Sequence, residues 1–442
     1  MRNKLILVLL VAAPLQSVNA AGYAVREQSA EAMGAAYAGA AATANDPSYL
    51  SYNPAAASIA QGGDLAVSAV VILPDSSATY TTATTSTGAA LSGSKTPQDF
   101  IRNAVVPSFA WRQRLADDWS LGVSVSVPWG LSTAYPSSYA GRYYAVGTKL
   151  VTLNIVPVLA YDIAPNCTIA GGPQIQYASG NLTSAVDIGT IGAVNAIPGS
   201  VPGAMDGAAA LKGDDWAFGY VLGARAQIDG GWSLGISYRS SVNHTLEGPL
   251  TFTLDGFGLG AGIRTATGLL TNTTATAKVK TPDVIQMGVR KQFGAWTALV
   301  EVDHTGWSAF KELRIDAVNP AQPDDVTNAQ WEDSWMGAFG VEYVYDDALT
   351  LRAGTAIDAS PIPDSTLGPR IPDADRYWLS LGASYRLSES ADVKFSFAHL
   401  FNDTRTVSQN PTQPGNALRG TLVGTTESAV NVIGLQFGYR WP

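Results

Sequence analysis

Apolar and polar side chains alternate along most of this chain. The last stretch shows it most clearly: Ile433, Leu435, Phe437, Tyr439 and Trp441 fall on one face of an extended strand, and glycine, polar and charged residues fall on the other. Successive side chains of a strand point to opposite faces, so one face here is apolar and ends in aromatic residues. Such alternation, in segments of about ten residues between turns, is typical of strands in a transmembrane barrel.

The same alternation recurs in about fourteen segments, an even number, as expected for a single-chain outer-membrane barrel. Several arginines keep to the face opposite the apolar side chains: Arg225, Arg239, Arg352, Arg386 and Arg440. An arginine on the lipid face near the midplane would cost about 2–4 kcal/mol. The pattern therefore predicts an all-β transmembrane fold, a 14-stranded antiparallel outer-membrane β-barrel over residues 63–442.

The connections between these segments alternate in length. Short turns face the periplasm and long loops face the outside in such barrels. Two predicted long loops, 179–214 and 243–282, contain stretches with almost no charge, Ile188–Leu211 and Leu254–Leu270. Exposed apolar surface of that extent marks a binding site, although the two loops could also pack on each other as a lid. The candidate capture residues are Ile188, Ile191, Leu211, Phe257, Leu259 and Leu269.

The N-terminal residues differ from the rest of the chain. Residues 1–20 have a charged start, an apolar core and a small-residue end at Ala20, which predicts a signal peptide cut after that residue. Residues 21–62 are rich in alanine and glycine and show no period of two. We expect them to form an N-terminal hatch that plugs the lumen, with a short helix around Ser29–Ala42. Composition alone would equally allow a disordered tail.

Composition narrows the function classes. Only 14% of the 442 residues are charged and the net charge is −9, whereas roughly a quarter is charged in a typical soluble domain. The acidic balance without basic clusters argues against nucleic-acid binding. A barrel enzyme would need a nucleophile with a histidine base, and the three histidines, His244, His304 and His399, are interpreted as rim or girdle residues. No cofactor or metal is expected.

The third predicted strand ends in Val127-Pro128-Trp129-Gly130. Proline lacks the N–H for a ladder bond, so inside a closed sheet it is expected only at bulges or edges. A gap in the wall at Pro128, Trp129 and Gly130 would let an apolar solute leave sideways into lipid. The alternative is that Pro128 begins the following loop.

Several segments carry a family resemblance. The mature start AGYAVREQSAEAMGAAYAGAAATANDPSYLSYNPA resembles the N-terminal hatch of the FadL-type long-chain fatty-acid and aromatic-hydrocarbon transporters of the outer membrane. WSLGVSVSVPWGLST, GRYYAVGTKLVTLNIVPVLAYDI and SPIPDSTLGPRIPDADRYWLSLGASY are also similar to that family, so the likeness covers essentially the whole mature chain. It implies capture of a hydrophobic molecule by extracellular loops and lateral release at the strand-three kink. It also implies that hatch residues Asn53, Pro54 and Ala55 face that kink.

The expected function is passive uptake of long-chain fatty acids or similar hydrophobic compounds across the bacterial outer membrane. Burying a chain of a dozen methylenes contributes on the order of 10 kcal/mol, so an apolar path needs no fuel. The alternatives are a facilitator of aromatic hydrocarbons with the same fold, a general diffusion porin and a barrel lipase. The expected partners are hydrophobic small molecules, outer-membrane lipid, lipopolysaccharide and the barrel assembly machinery, and the protein is expected to be a monomer.

Overall fold

The computed structural model describes residues 21–442, and the predicted signal peptide lies outside these residues. Twenty strand segments form one antiparallel sheet. They make fourteen barrel strands, because six strands are interrupted once along their length. The first strand pairs with the last from Gly63↔Trp441 to Thr84↔Thr421, which closes the sheet into a barrel. The predicted fold class is therefore confirmed.

The strands and helices have the following bounds. The uninterrupted strands are β1 (Gly63–Thr84), β2 (Ala104–Ala116), β5 (Gly147–Ala164), β6 (Cys167–Asp187), β7 (Asp206–Ile228), β16 (Leu349–Asp358), β17 (Arg376–Arg386) and β20 (Thr421–Trp441). The interrupted strands are β3 and β4 (Trp119–Ser126, Gly130–Ala134), β8 and β9 (Trp232–Arg239, Val242–Thr253), β10 and β11 (Thr273–Thr281, Val284–Phe293), β12 and β13 (Trp296–Thr305, Glu312–Ala317), β14 and β15 (Asp325–Asn328, Ser334–Val344), and β18 and β19 (Ala391–Asn402, Arg405–Gln409). The helices are α1 (Ala30–Met33), α2 (Ile188–Val194) and α3 (Leu259–Thr267), with short 3₁₀ helices at Ala40–Ala42, Pro47–Ser51, Pro54–Ala57 and Trp307–Ala309.

Side chains change environment at each step along the wall, as the alternation predicts. On β20, Leu435 is 61% exposed on the outer face, whereas Gln436 next to it is buried against the lumen contents. Aromatic pairs mark the end with short turns, with ring centroids 4.6 Å apart for Trp119 and Tyr161. Within residues 21–442, no helix is both long and apolar enough to cross a membrane.

The strands continue further into the predicted long loops than the alternation indicated. β6 runs to Asp187 and β7 begins at Asp206, so half of 179–214 is a two-stranded extension capped by α2. Likewise, 243–282 contains most of β9, then α3, then β10. In the extension of β6 and β7, most side chains of both faces are half-buried, and a period of two does not mark strands whose faces have similar surroundings. On β9 and β10, buried and exposed side chains do alternate.

Residues 21–62, called the hatch below, lie inside the barrel. The helix expected over Ser29–Ala42 is present only as α1 and the 3₁₀ helix Ala40–Ala42. Between them, Ala36 and Tyr37 adopt left-handed backbone angles, φ 51° and 64°, which end the helix. The chain turns there because its backbone lies directly on the glycines of the wall: a Cβ added at Gly354 would stand 2.2 Å from the Ala35 backbone.

Candidate functional site

Ion pairs between side chains of the hatch and the wall hold the hatch in the lumen. Arg26 of the hatch lies 2.5 Å from Asp303 on β12 and 3.3 Å from Asp358 on β16. Glu31 of the hatch accepts from Arg352 on β16 at 2.8 Å. Asp303, Asp358, Glu31 and Arg352 are nearly fully buried, and the Arg26 side chain is 12% exposed. Removing one of these five charges would therefore leave an uncompensated buried charge.

A second set of contacts joins wall side chains to the hatch backbone. Arg112 of β2 pairs with Asp64 at 2.7 Å and donates to the carbonyl oxygens of Ala44 and Ala56 at 2.8 and 2.6 Å. Two strands before β1 around the closed barrel, Lys394 of β18 pairs with hatch residue Asp46 at 2.5 Å. Interior charges of the barrel therefore pair largely with one another and with the hatch.

The Asn53-Pro54-Ala55 segment lies against a different part of the wall from the one that the resemblance implied. The amide nitrogen of Asn53 donates to the carbonyl oxygens of Ala41 at 2.6 Å and Ala224 at 3.1 Å. Pro54 packs on Gly223, so this segment faces β7 and β8 and not the kink of strand three. The expectation that it faces the kink is wrong, because the Asn53 amide bonds to β7 and β8, whereas residues 23–25 bond to the backbone at the kink.

The third barrel strand is broken where the sequence has Pro128. β3 ends at Ser126 and β4 begins at Gly130, and both pair with β5. The ladder between β2 and β3 ends at Phe109↔Val125, although β2 begins five residues earlier, at Ala104. The wall therefore has an interruption between the outer half of β2 and residues 127–130.

The start of the hatch seals this interruption from inside. The Val25 N–H donates to the Pro128 carbonyl and the Gly130 N–H donates to the Tyr23 carbonyl, both at 2.8 Å. The side chain of Gln28 bonds both backbone groups of Val127: it donates to the carbonyl at 2.8 Å and accepts from the N–H at 3.0 Å. Residues 23–28 thus supply the backbone partners that a neighbouring strand would otherwise supply.

A buried aromatic cluster lies directly above this seal. The Tyr23 ring packs edge-on to Trp307 with centroids 4.6 Å apart, and to Trp129 at 6.0 Å. Phe310 and Trp331 complete the cluster at 5.8 and 5.5 Å from Tyr23. The first turn of the hatch is therefore anchored by apolar packing as well as by hydrogen bonds.

Two neighbouring cavities connect the outer loops to this cluster. The outer one is about 440 Å³ and is lined mainly by aliphatic side chains of β6, β7, β9 and the loops. The inner one is about 50 Å³, and Tyr23 and Leu131 lie at its end. Leu182, Leu211 and Arg370 line both cavities. An apolar path therefore runs from the extracellular side to the hatch beside the interruption.

Arg370 is the one cation at the junction of the two cavities. It donates to the carbonyl of Tyr144 at 2.9 Å and to the hydroxyl of Thr148 at 3.3 Å, and forms no ion pair with a carboxylate in residues 21–442. Burial, aided by nearby Arg419, lowers the pKa of Arg370 to about 10, so the guanidinium stays charged at neutral pH. Sequence reasoning missed this residue; its only signal is a lone arginine between prolines and apolar residues in GPRIP.

The six candidate capture residues are distributed over several environments. Ile188 is fully buried where α2 packs on α3, and Leu259 and Leu269 pack partly buried around it. Ile191 and Leu211 line the outer cavity. Phe257 is 74% exposed beyond both cavities. The two apolar loops thus pack on each other as a lid, and the lid forms one side of the cavity.

The histidines take separate positions. His244 is buried in the lumen, and its ring nitrogens contact Asp215 at 3.1 Å and Gln176 at 2.8 Å. His304 and His399 lie on the outer face, where their rings pack against Trp335 and Phe401. Two of the three are therefore girdle residues, whereas His244 belongs to a polar network inside the barrel.

Comparison with known proteins agrees with this geometry. The profile of the family described as outer membrane protein transport protein (OMPP1/FadL/TodX) matches residues 10–441. A long-chain fatty acid transport protein of Escherichia coli O6:H1 is 29% identical over 413 residues, which cover 88% of this chain and 90% of the relative. A putative outer membrane protein of Neisseria meningitidis is 28% identical over 461 residues, 99% of this chain and 98% of the relative.

Solved structures share the fold. The crystal structure of a Pseudomonas aeruginosa FadL homologue superimposes with a TM-score of 0.86 at 23% identity, covering 95% of this chain and 99% of that one. The Ralstonia pickettii toluene transporter TbuX gives a TM-score of 0.64 at 18% identity, covering 96% and 100%.

Proposed function

This chain belongs to the outer membrane protein transport protein family (OMPP1/FadL/TodX), and from that membership we propose that its substrates are long-chain fatty acids. It is a bacterial outer-membrane transporter of hydrophobic compounds. In the proposal, residues 21–62 act as the hatch of a monomeric barrel formed by residues 63–442. Movement is passive, since burial of the alkyl chain supplies the driving force.

The choice of substrate rests on the position and the partners of Arg370. It lines both apolar cavities and has no carboxylate partner among the described residues. A partly buried cation without an ion-pair partner is incompletely stabilised, and a carboxylate that reaches it gains a charge-assisted, geometrically specific pair. A fatty acid offers that carboxylate on an apolar chain that fits the aliphatic part of the lining, whereas an aromatic hydrocarbon such as toluene offers no charge.

Capture takes place at the lid formed by the two apolar loops. Ile191 and Leu211 contact the ligand as it enters the outer cavity, and exposed Phe257 extends the apolar surface outwards. Ile188, Leu259 and Leu269 hold α2 and α3 together, so in this proposal they shape the capture surface from beneath.

Release takes place sideways through the interruption at Pro128, Trp129 and Gly130. The inner cavity ends at Tyr23 and Leu131, next to the wall segment that only the hatch start covers. Withdrawal of Tyr23–Val25 and Gln28 would expose an opening between the outer half of β2 and residues 127–130. The hatch segment Asn53-Pro54-Ala55 acts at a distance from it, as the anchor against β7 and β8 about which the hatch start moves.

The substrate is tested by measuring the affinity of the purified protein for oleate and for xylene in Arg370→Leu and Arg370→Lys variants. Loss of hydrogen bonds to a charged group costs 1.5–3 kcal/mol, so Arg370→Leu is expected to weaken oleate binding about 10- to 100-fold and to leave xylene binding unchanged. Arg370→Lys retains the charge and is expected to lose less.

Three outcomes separate the candidates. If Arg370→Leu binds oleate as tightly as the unmodified chain, the carboxylate is not held at Arg370. If xylene also binds more tightly than oleate, the protein is an aromatic-hydrocarbon facilitator. Rapid swelling of liposomes in small sugars would instead indicate a general diffusion porin.

A further inference from the structure

Exposed basic side chains lie along one row across the outer face of the barrel. Ser132 of β4 stands opposite Lys149 of β5. Arg102, just before β2, donates its N–H to the Ser132 carbonyl at 3.0 Å, which fixes it on the other side of Ser132. Further along, Asn181 of β6 stands between Lys149 and Lys212 of β7. Neighbouring strands are about 4.8 Å apart, so Arg102 and Lys149 are about 10 Å apart at the backbone.

This row lies above the apolar band, on the extracellular side. Below Lys212 on the same face of β7 come Asp214 and then the aromatic residues Trp216, Phe218 and Tyr220, which are 53%, 71% and 49% exposed. Lys149 stands near the start of β5, the end away from the short turn at Ala164. Charged side chains cost little at the interface, where lipid headgroups lie, and much more at the midplane. The row therefore stands at the headgroups of the outer leaflet.

The cations of the row are available to an external anion. Arg102, Lys149 and Lys212 form no ion pair with any carboxylate of residues 21–442, and the only acceptor of the Arg102 guanidinium there is the Ala134 carbonyl at 3.3 Å. Arg102, Ser132 and Lys149 line a mainly polar cavity of about 600 Å³, to which Asp99 contributes the one carboxylate.

We propose that Arg102 and Lys149, with Ser132 between them, bind a phosphate group of lipid A, the anionic lipid moiety of lipopolysaccharide in the outer leaflet. Paired cations spaced across two strands recognise a phosphate by charge and hydrogen bonding. Lys212 extends the site towards a second phosphate. This inference does not depend on which hydrophobic substrate the protein carries.

A lipid bound at this site would also cover the interruption in the wall. Gly130 stands opposite Val151, two residues along β5 from Lys149, which is about 7 Å along the strand. A phosphate held between Arg102 and Lys149 therefore places its acyl chains down the outer wall, across the interruption at residues 127–130. The lipid covers the membrane side of the seam that the hatch covers from the lumen.

The site is tested by titrating lipid A into the mature, detergent-solubilised barrel and measuring binding by native mass spectrometry. Each basic residue near a membrane surface is worth about fivefold in affinity, so Arg102→Gln with Lys149→Gln is expected to weaken binding about 25-fold. The matched control, Lys278→Gln with Lys280→Gln, removes two exposed cations of β10 that lie outside the cavity, and it is expected to weaken binding clearly less than the test pair.

Two further arms distinguish the source of the phosphate and guard against misfolding. Dephosphorylated lipid A is expected to bind like the double variant, and inorganic phosphate is expected not to compete at equal concentration. Asp99→Asn removes the one carboxylate of the cavity and should tighten binding, a gain that a misfolded barrel cannot produce. Equal losses in the test and control pairs, unchanged binding in the Arg102 and Lys149 variant, or full competition by inorganic phosphate would each overturn the proposal.

Discussion

Ala24 of the hatch stands directly opposite Trp129 of the wall in an antiparallel β-bridge. The flanking hydrogen bonds run from Val25 to Pro128 and from Gly130 to Tyr23, which makes Ala24 and Trp129 a non-hydrogen-bonded pair. Such pairs have Cα atoms about 4.5 Å apart, within the range that a disulfide can span. The hatch start can therefore be locked to the wall by a single covalent bond.

The first prediction uses this lock. In an Ala24→Cys, Trp129→Cys variant that also carries Cys167→Ser, we expect oxidation to stop uptake of radiolabelled oleate by cells, because residues 23–25 can no longer leave the interruption. Reduction with dithiothreitol should restore uptake to the level of the reduced variant. Each single-cysteine variant is the control and should not respond to oxidation. Equal uptake in the oxidised and reduced forms would show that release does not pass this seam.

The second prediction concerns the close contact between hatch and wall. A Cβ at Gly354 would stand 2.2 Å from the Ala35 backbone, which has no room to move. We expect Gly354→Ala to cost about 1–3 kcal/mol of hatch docking and to raise the single-channel conductance of the barrel to small ions. Gly337→Ala, on the adjacent strand with no atom within 4 Å of the added Cβ, is the matched control. Equal conductance in both variants would mean that the hatch adjusts at no cost.

The barrel could be predicted from the sequence because lipid imposes a simple rule on every second side chain. Phe437 must be apolar where it meets lipid, and Arg352 can be charged only because it points into the lumen. The interruption could also be located, since Pro128 cannot donate a ladder bond. These features depend on one residue and its immediate neighbours along the strand.

The contacts that complete the site could not be predicted in this way. The bonds from Gln28 to Val127 join residues 99 positions apart and use backbone groups that every residue has. Arg370 gains its role only in the folded chain, where it forms no ion pair with a carboxylate of residues 21–442. The position of Asn53 against β7 depends on how the short 3₁₀ turns of the hatch fold, and a family likeness did not locate it correctly.

The third prediction concerns pH. Glu27 is buried in the hatch, and burial raises its pKa to about 7, with nearby Arg376 and Arg26 acting in the opposite direction. This pKa is above the ordinary carboxyl value of 4.5. The stabilisation that Glu27 contributes to the docked hatch is therefore fully present below about pH 4.5 and is lost as the pH rises towards 7. We expect amides of residues 23–28 to be more protected from hydrogen exchange at pH 5 than at pH 8, after correction for intrinsic rates.

Glu27→Gln supplies the check on that assignment. The amide side chain is neutral at both pH values, so the difference in protection between pH 5 and pH 8 should disappear. Glu332→Gln, at an exposed site of the outer rim, should keep it. A pH dependence that persists in Glu27→Gln would assign the titration to another group.

The last prediction tests the interruption itself. Pro128→Val with Gly130→Val gives residues 127–130 the donors and side chains of a regular strand, and the outer half of β2 offers unpaired partners beside them. We expect the ladder between β2 and β3 to extend outwards, because closing it satisfies backbone groups that now rely on Gln28 and Val25. Binding of oleate to the purified protein should remain within about threefold, since Arg370 and the lid are untouched, whereas growth on oleate as carbon source should be lost.

Pro173→Val, which replaces a lipid-facing proline of β6 away from the hatch, is the control, and cells that carry it should grow normally. Normal growth of the Pro128 and Gly130 variant would mean that the solute leaves through the lumen, past a displaced hatch, and not through the wall.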